Sequence, residues 1–165
     1  MARTKSFKFP NTSQELEDPF DKLQRAVTNY VLNTGALAIK AGSSALAKTV
    51  NTVYFLIDGS LFSKGAADMA ALSGTVTADK FNVFVFTVDS AGTLSSHMGT
   101  EGSTLGGVVF PEIPEGEAVI GFVIVNPTGT GDFVGGTTEL DDATVVPNAV
   151  YINTPFPFLP ELSDL

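Results

Sequence analysis

The sequence predicts a mainly β protein: an antiparallel β-sandwich or jelly roll with an N-terminal amphipathic helix and extended terminal arms. Three observations carry this. Residues 81–89 (Phe-Asn-Val-Phe-Val-Phe-Thr-Val-Asp) hold three Phe and three Val and no helix-favouring residue. Read with period two, Phe81, Val83, Val85 and Thr87 lie on one face, and Asn82, Phe84, Phe86 and Val88 on the other. Both faces are largely apolar, as in a strand covered on two sides. Residues 118–126 (Ala-Val-Ile-Gly-Phe-Val-Ile-Val-Asn) repeat the pattern. Finally, Gly, Pro, Thr and Asn recur at short intervals elsewhere, as they do where many short strands alternate with turns.

In chain order, residues 1–11 place Phe7 and Phe9 among Arg3, Lys5 and Lys8, a basic and aromatic arm suited to ordering on a protein partner. Three positive charges on a chain of net charge −9 argue against a nucleic-acid arm. Asp18-Pro19 is a helix start, with Asp as N-cap and Pro at the first helical position. Phe20, Leu23, Val27, Tyr30 and Val31 then form one apolar stripe, and Asn33 and Gly35 supply a stop. The spacing predicts a helix over 19–32 that covers one end of the β core or packs on a neighbouring subunit.

Strand patterns begin at Leu37. Residues 37–40 and 52–57 read as strands, and Asp58-Gly59-Ser60 as a turn. The 81–89 strand ends at Ser90-Ala91-Gly92-Thr93, where a hairpin should turn. Residues 94–105 read as an exposed loop or edge, and 107–110 as a strand. Pro111 and Pro114 keep 111–116 out of any central strand. Residues 145–146 and 149–153 are the last strand candidates. The tail 154–165, with Pro155, Pro157 and Pro160 around Phe156 and Phe158, should run extended with its rings docked. This divides the chain into an arm and helix (1–34), a β domain (35–153) and a C-terminal tail (154–165).

At 165 residues the chain can bury a substantial single core. It has no Cys, hence no disulfide, thiolate nucleophile or Cys-based zinc site. The polar, basic start lacks the apolar core of a signal peptide, and no apolar run reaches the ~20 residues of a membrane helix. A soluble protein made in a cytoplasm is expected, with no membrane partner. All nine Lys and Arg lie at or before Lys80, whereas residues 81–165 carry eleven Asp and Glu. Such a chain repels nucleic acid over most of its surface.

Chemistry finds few parts. His97 is the only histidine, so a triad or zinc site is short of groups, and an exposed surface role is expected. The Gly129–Gly136 stretch misses the Gly-x-Gly-x-x-Gly spacing and no helix pattern follows it, which rules out a dinucleotide loop. Asp132, Glu139, Asp141 and Asp142 do not fit an EF-hand and read as a solvated acidic loop. No Trp is present to make a sugar-stacking platform beside paired carboxylates. A non-enzyme without cofactor or metal is expected.

Several segments resemble those of small virion structural proteins of tailed bacteriophages. They are residues 113–121 (Ile-Pro-Glu-Gly-Glu-Ala-Val-Ile-Gly), 133–143 (Phe-Val-Gly-Gly-Thr-Thr-Glu-Leu-Asp-Asp-Ala), Tyr54-Phe55-Leu56-Ile57-Asp58-Gly59 and Ala71-Leu72-Ser73-Gly74. The resemblance spans about 36–153 and leaves the helix uncovered. It implies a β-rich capsid cement or decoration protein, commonly trimeric, on the outside of the head, with the major capsid protein and its own copies as partners. Arg3, Lys5, Phe7, Lys8, Phe9, Phe20, Leu23, Val27 and Tyr30 are then the candidate partner-binding residues. Another virion part (head fibre base, connector or tail protein) and a receptor- or carbohydrate-binding jelly roll are the alternatives.

Overall fold

The computed structural model describes residues 14–159, with side chains from residue 20 onward. Among these residues one α-helix, α1 (Gln14–Thr28), precedes eleven strands: β1 (Tyr30–Val31), β2 (Leu37–Ile39), β3 (Ala47–Thr49), β4 (Val53–Ile57), β5 (Ser60–Lys64), β6 (Thr75–Val76), β7 (Asn82–Asp89), β8 (Leu94–Met98), β9 (Glu117–Val125), β10 (Phe133–Val134) and β11 (Val150–Asn153), with a 3-10 turn at Leu105–Gly107. All the strand pairs are antiparallel. A four-stranded sheet of order β11-β9-β7-β8 is the centre, and a three-stranded sheet of order β1-β4-β5 packs on it. The mainly β, antiparallel expectation holds, with both apolar runs as the two inner strands.

Both faces of the central sheet are covered. On one face Phe84, Phe86 and Val88 of β7, with Ala118, Ile120, Val123 and Val125 of β9, meet Val31, Val53, Phe55 and Ile57 of the three-stranded sheet. Phe133 packs edge-on to Phe84, with ring centroids 5.7 Å apart. On the other face Val85, Val119 and Ile113 form a smaller cluster beneath Phe110, Phe122, Phe158 and Leu159. Phe158 of the C-terminal tail stacks on Phe122 at 5.9 Å and meets Phe110 edge-on at 5.8 Å. The tail's rings were expected to dock; Phe158 does, whereas Phe156 is exposed.

A β-bulge reconciles β9 with both faces. Phe86 pairs with Gly121 and Thr87 with Val119, which leaves Ile120 as the extra residue. The insertion inverts the alternation, so Ala118 and Ile120 face the same core as Val123 and Val125.

The helix differs from its predicted bounds at both ends. It already includes Gln14, so Asp18 and Pro19 lie inside it and not at the cap. The first turn, Gln14-Glu15-Leu16-Glu17, is rich in helix formers with acids at the positive dipole end, which offsets the bond that Pro19 forfeits. It ends at Thr28 because Tyr30 and Val31 leave to pair with Leu56 and Phe55. Buried Asn29 makes the switch: its backbone N–H still donates to the Arg25 carbonyl, while its Oδ1 accepts the Asp58 N–H at 2.8 Å. Tyr30 is thus a strand residue, not the last position of a helical stripe, and residues 1–34 contribute a strand to the β body.

Further strand expectations change. Gly107 closes a 3-10 turn (Leu105–Gly107) and Val109 makes an isolated bridge to Thr100, while Val145 lies in a turn whose N–H groups are held by Asp142. Residues 58–59 turn with positive φ at both Asp58 and Gly59, the geometry of a two-residue hairpin, so the chain re-enters β5 at once. The hairpin expected at 90–93 is present: the Asp89 carboxylate accepts the N–H groups of Ala91 and Thr93. The Thr93 backbone bond leads in lowering the Asp89 pKa.

Candidate interaction surface

Helix α1 is fastened at its C-terminal end. Arg25 donates to the Ile113 carbonyl, the Gly59 N–H donates to the Thr28 carbonyl, and Ala26 is buried. From Phe20 to Gln24 no side chain is buried, and Asp21 and Gln24 face Asp58, Glu115 and Gly116 across an open cleft. The apolar stripe of the helix faces solvent: Phe20 is 64 %, Leu23 50 % and Val27 56 % exposed. A stripe with helical spacing normally marks the buried face of a helix. Here the described residues leave it uncovered.

The three-stranded sheet carries a second apolar face. Val31, Phe55 and Phe62 point into the core, so their neighbours Tyr30, Leu32, Tyr54, Leu56 and Leu61 point outward. Tyr30, Leu56 and Leu61 form one cross-strand row. The Leu32 N–H donates to the Tyr54 carbonyl and extends the pairing by one residue. Leu32, Tyr54 and Leu61 are exposed, and Tyr30 and Leu56 half-buried. An outward row this apolar is unusual, since such positions are ordinarily polar in a sheet with one wet face. Tyr30, three residues after Val27, belongs to the sheet row and not to the helix.

Of the residues singled out in the sequence, Phe20, Leu23 and Val27 thus lie on the exposed helical stripe and Tyr30 in the outward sheet row. Arg3, Lys5, Phe7, Lys8 and Phe9 lie outside the described residues. Sequence reasoning missed Leu32, Tyr54, Leu56 and Leu61. Residues 53–57 are apolar on both faces, and a doubly apolar strand reads as a buried one.

His97 is not the exposed surface residue expected. On β8 it is part-buried, with Nε2 2.9 Å from Glu117 Oε2 and 3.1 Å from Thr87 Oγ1, and the Thr87 hydroxyl donates to that same carboxylate oxygen. Three adjacent strands supply the group, on the side of the sheet that bears Val85 and Val119. It is not a nucleophilic triad: hydroxyl and carboxylate converge on one imidazole nitrogen, whereas a triad places them on opposite nitrogens. Thr87 is moreover fully buried, out of reach of a substrate. The arrangement ties β7, β8 and β9 together.

Three of the loop's four acids are spent on backbone. Asp132 accepts the Ala78 N–H, Asp141 the Ser43 N–H, and Asp142 the N–H groups of Thr144 and Val145. The bonds from Val145, then Thr144, lower the Asp142 pKa. Among the described residues no group of three or more His, Asp or Glu could hold a metal ion.

Tyr151, on β11, has a buried hydroxyl without a hydrogen-bond partner among the described residues. Burial, and secondarily the charge of Asp141, push its pKa up to about 12. The unfolded chain's tyrosine ionises near 10. The folded state therefore keeps its full advantage below pH 10 and loses it as pH rises from 10 towards 12. Allowing for partial exposure of the ring, that loss is about 1 kcal/mol. Tyr151→Phe should match or exceed the parent at pH 7, by up to ~1 kcal/mol, because it removes an unpaired polar atom. It should also lack the alkaline loss; urea unfolding at pH 7 and pH 11 checks both.

No family model, curated protein or solved structure matches the chain.

Proposed function

We propose that this protein is a virion structural protein, a cement or decoration protein that binds the outside of a phage head as a homotrimer and stabilises the lattice. The observation that carries the reading is the uncovered apolar surface of Phe20, Leu23, Val27, Leu32, Tyr54 and Leu61 on a chain of net charge −9. Exposed apolar patches rimmed by polar residues mark protein–protein contacts. The phage-like segments of the sequence supply the virion setting. Modest contacts per subunit become firm attachment when an oligomer engages several capsid sites at once, and a protein that binds the assembled lattice better than its parts stabilises it. The acidic second half suits the outward side of such a particle, where like charge keeps heads apart.

The test is mass and copy number. Light scattering should give a trimer, and the particle should carry hundreds of copies; a monomer, or a dozen copies or fewer, would refute cement function. Leu23→Asp combined with Leu61→Asp should weaken self-association or capsid binding at least thirtyfold, the factor that about 2 kcal/mol represents. Both side chains are exposed, so the thermal midpoint should stay within a few degrees. Truncation is a poorer tool if carried to residue 32, since it removes β1 and its fully buried Val31.

A further inference from the structure

A groove of about 560 Å³ opens at the end of β9 remote from the helix anchor. Phe81, Leu105, Ile124, Pro127, Pro147 and Val150 line it, with Asp79 among them. Leu105 and Val150 are 52 % and 45 % exposed, and the volume is that of a ligand pocket. Of its polar lining, Asp79 is acidic and Asn126, Thr128 and Asn148 are neutral. Asp132 and Glu101 hold the N–H groups of Ala78 and Thr77, immediately before Asp79. Lys80, bonded to Ser103, is the last basic residue in the chain.

We propose that this groove receives the N-terminal arm of a second copy of the chain. The arm has the complementary composition: residues 1–13 contain Arg3, Lys5 and Lys8, no acid, and two aromatic rings at Phe7 and Phe9. The rings fill the apolar floor, and the cations face Asp79, the one acid that lines it. Placement favours a neighbour over the same chain. Helix α1 is fastened beside Glu115 and Gly116, where β9 begins, whereas the groove lies where β9 ends. The arm precedes Gln14, and the helix sets that point ~20 Å from its anchored end at Thr28. Thirteen extended residues reach up to about 45 Å, enough to bridge adjacent subunits. The inference rests on the oligomer reading above and adds to it a domain-swapped contact that locks the copies together.

The chain has no cysteine, so engineered ones report without background. Phe9→Cys in one preparation and Leu105→Cys in another are mixed under mild oxidation while light scattering records the mass. The expected result is a disulfide-linked dimer that forms only in the mixture and falls severalfold in 1 M salt, as the screened arm detaches. Ala91→Cys, in the exposed β7–β8 turn, should not link to Phe9→Cys. Three results would overturn the inference. One is linkage within single chains of a variant carrying both Phe9→Cys and Leu105→Cys with none in the mixture, which means that the arm folds back. Another is equal linkage to Ala91→Cys. The third is no linkage in a mixture that light scattering shows to be oligomeric, which leaves the oligomer reading standing. A monomer without linkage overturns both.

Discussion

Phe84→Ala is expected to destabilise the protein by about 3–5 kcal/mol, the cost of emptying a fully buried aromatic site. Phe84 is wholly inaccessible, on the second strand in from the sheet edge, between Val123 of β9 and Met98 of β8. It points into the cluster shared with the three-stranded sheet and holds Phe133 edge-on. Few neighbours can fill the space, because backbone pairing on both sides fixes β7. Against a typical total of 5–15 kcal/mol, the loss is a large share of the stability. Urea unfolding should show a much lower midpoint with little change in slope. Phe156→Ala, at a half-exposed ring in the tail, should cost under ~0.5 kcal/mol. An effect at Phe84 below about 1 kcal/mol would mean that the two sheets do not close on this residue.

The same residue marks what was legible in the sequence. A nine-residue run of Phe and Val can satisfy both its faces only in the middle of a covered sheet, so β7 and β9 are visible without coordinates. Short strands are not. Tyr30 and Val31 continue the helical spacing set by Phe20, Leu23 and Val27, and only the pairing with Leu56 and Phe55 turns them into a strand. Residues 60–64 (Ser-Leu-Phe-Ser-Lys) have too little alternation to predict β5, which exists because the turn at Asp58 and Gly59 returns the chain along β4. At two residues each, β6 and β10 pair with one another and have no sequence period at all.

The interaction surface was half legible for a related reason. Amphipathic spacing says that Phe20, Leu23 and Val27 seek an apolar partner, but not whether the partner lies in the same chain. Burial of Ala26 with exposure of the stripe shows that the helix turns a different, narrower side to its own body. Tyr54 and Leu56 alternate with buried Val53, Phe55 and Ile57, and apolar residues on both faces gave no hint that one face stays open. The His97–Glu117–Thr87 group was out of reach altogether. Its members are diagonal neighbours on three strands, and their meeting depends on the registers of two strand pairs, one of them bulged.

That bulge leaves no room for a single added methyl at Gly121. Gly121→Ala should cost roughly 3 kcal/mol or more, an overpacking penalty at its upper end because backbone is what must move. A Cβ at Gly121 would fall inside contact distance of the Ile152 carbonyl oxygen, 2.6 Å from Leu37 Cδ1 and 3.1 Å from Asn153 Cα. The carbonyl cannot retreat alone, since Ile152 and Asn153 pair with Phe122 and Gly121. Just beyond them Thr154 donates to the Val119 and Ile120 carbonyls. Pushing β11 outward therefore strains the link to Phe158 and Leu159, which cover the second face of the sheet. Gly116→Ala is the informative contrast. That glycine has φ +75° and nothing within 4 Å of the added atom, so only the left-handed backbone opposes the change, at about 1–2 kcal/mol. Denaturant midpoints of the two variants, with amide exchange along β11, separate the mechanisms. Gly121→Ala should speed exchange at Thr154, whose N–H donates to the Ile120 carbonyl, and at Ile152, two residues before it on the same side of the strand, whereas Gly116→Ala should leave both at the parent rate after correction for global stability. Equal costs at the two sites would mean that β11 yields easily, and that the tail covering the second face is held by its rings instead of by the ladder.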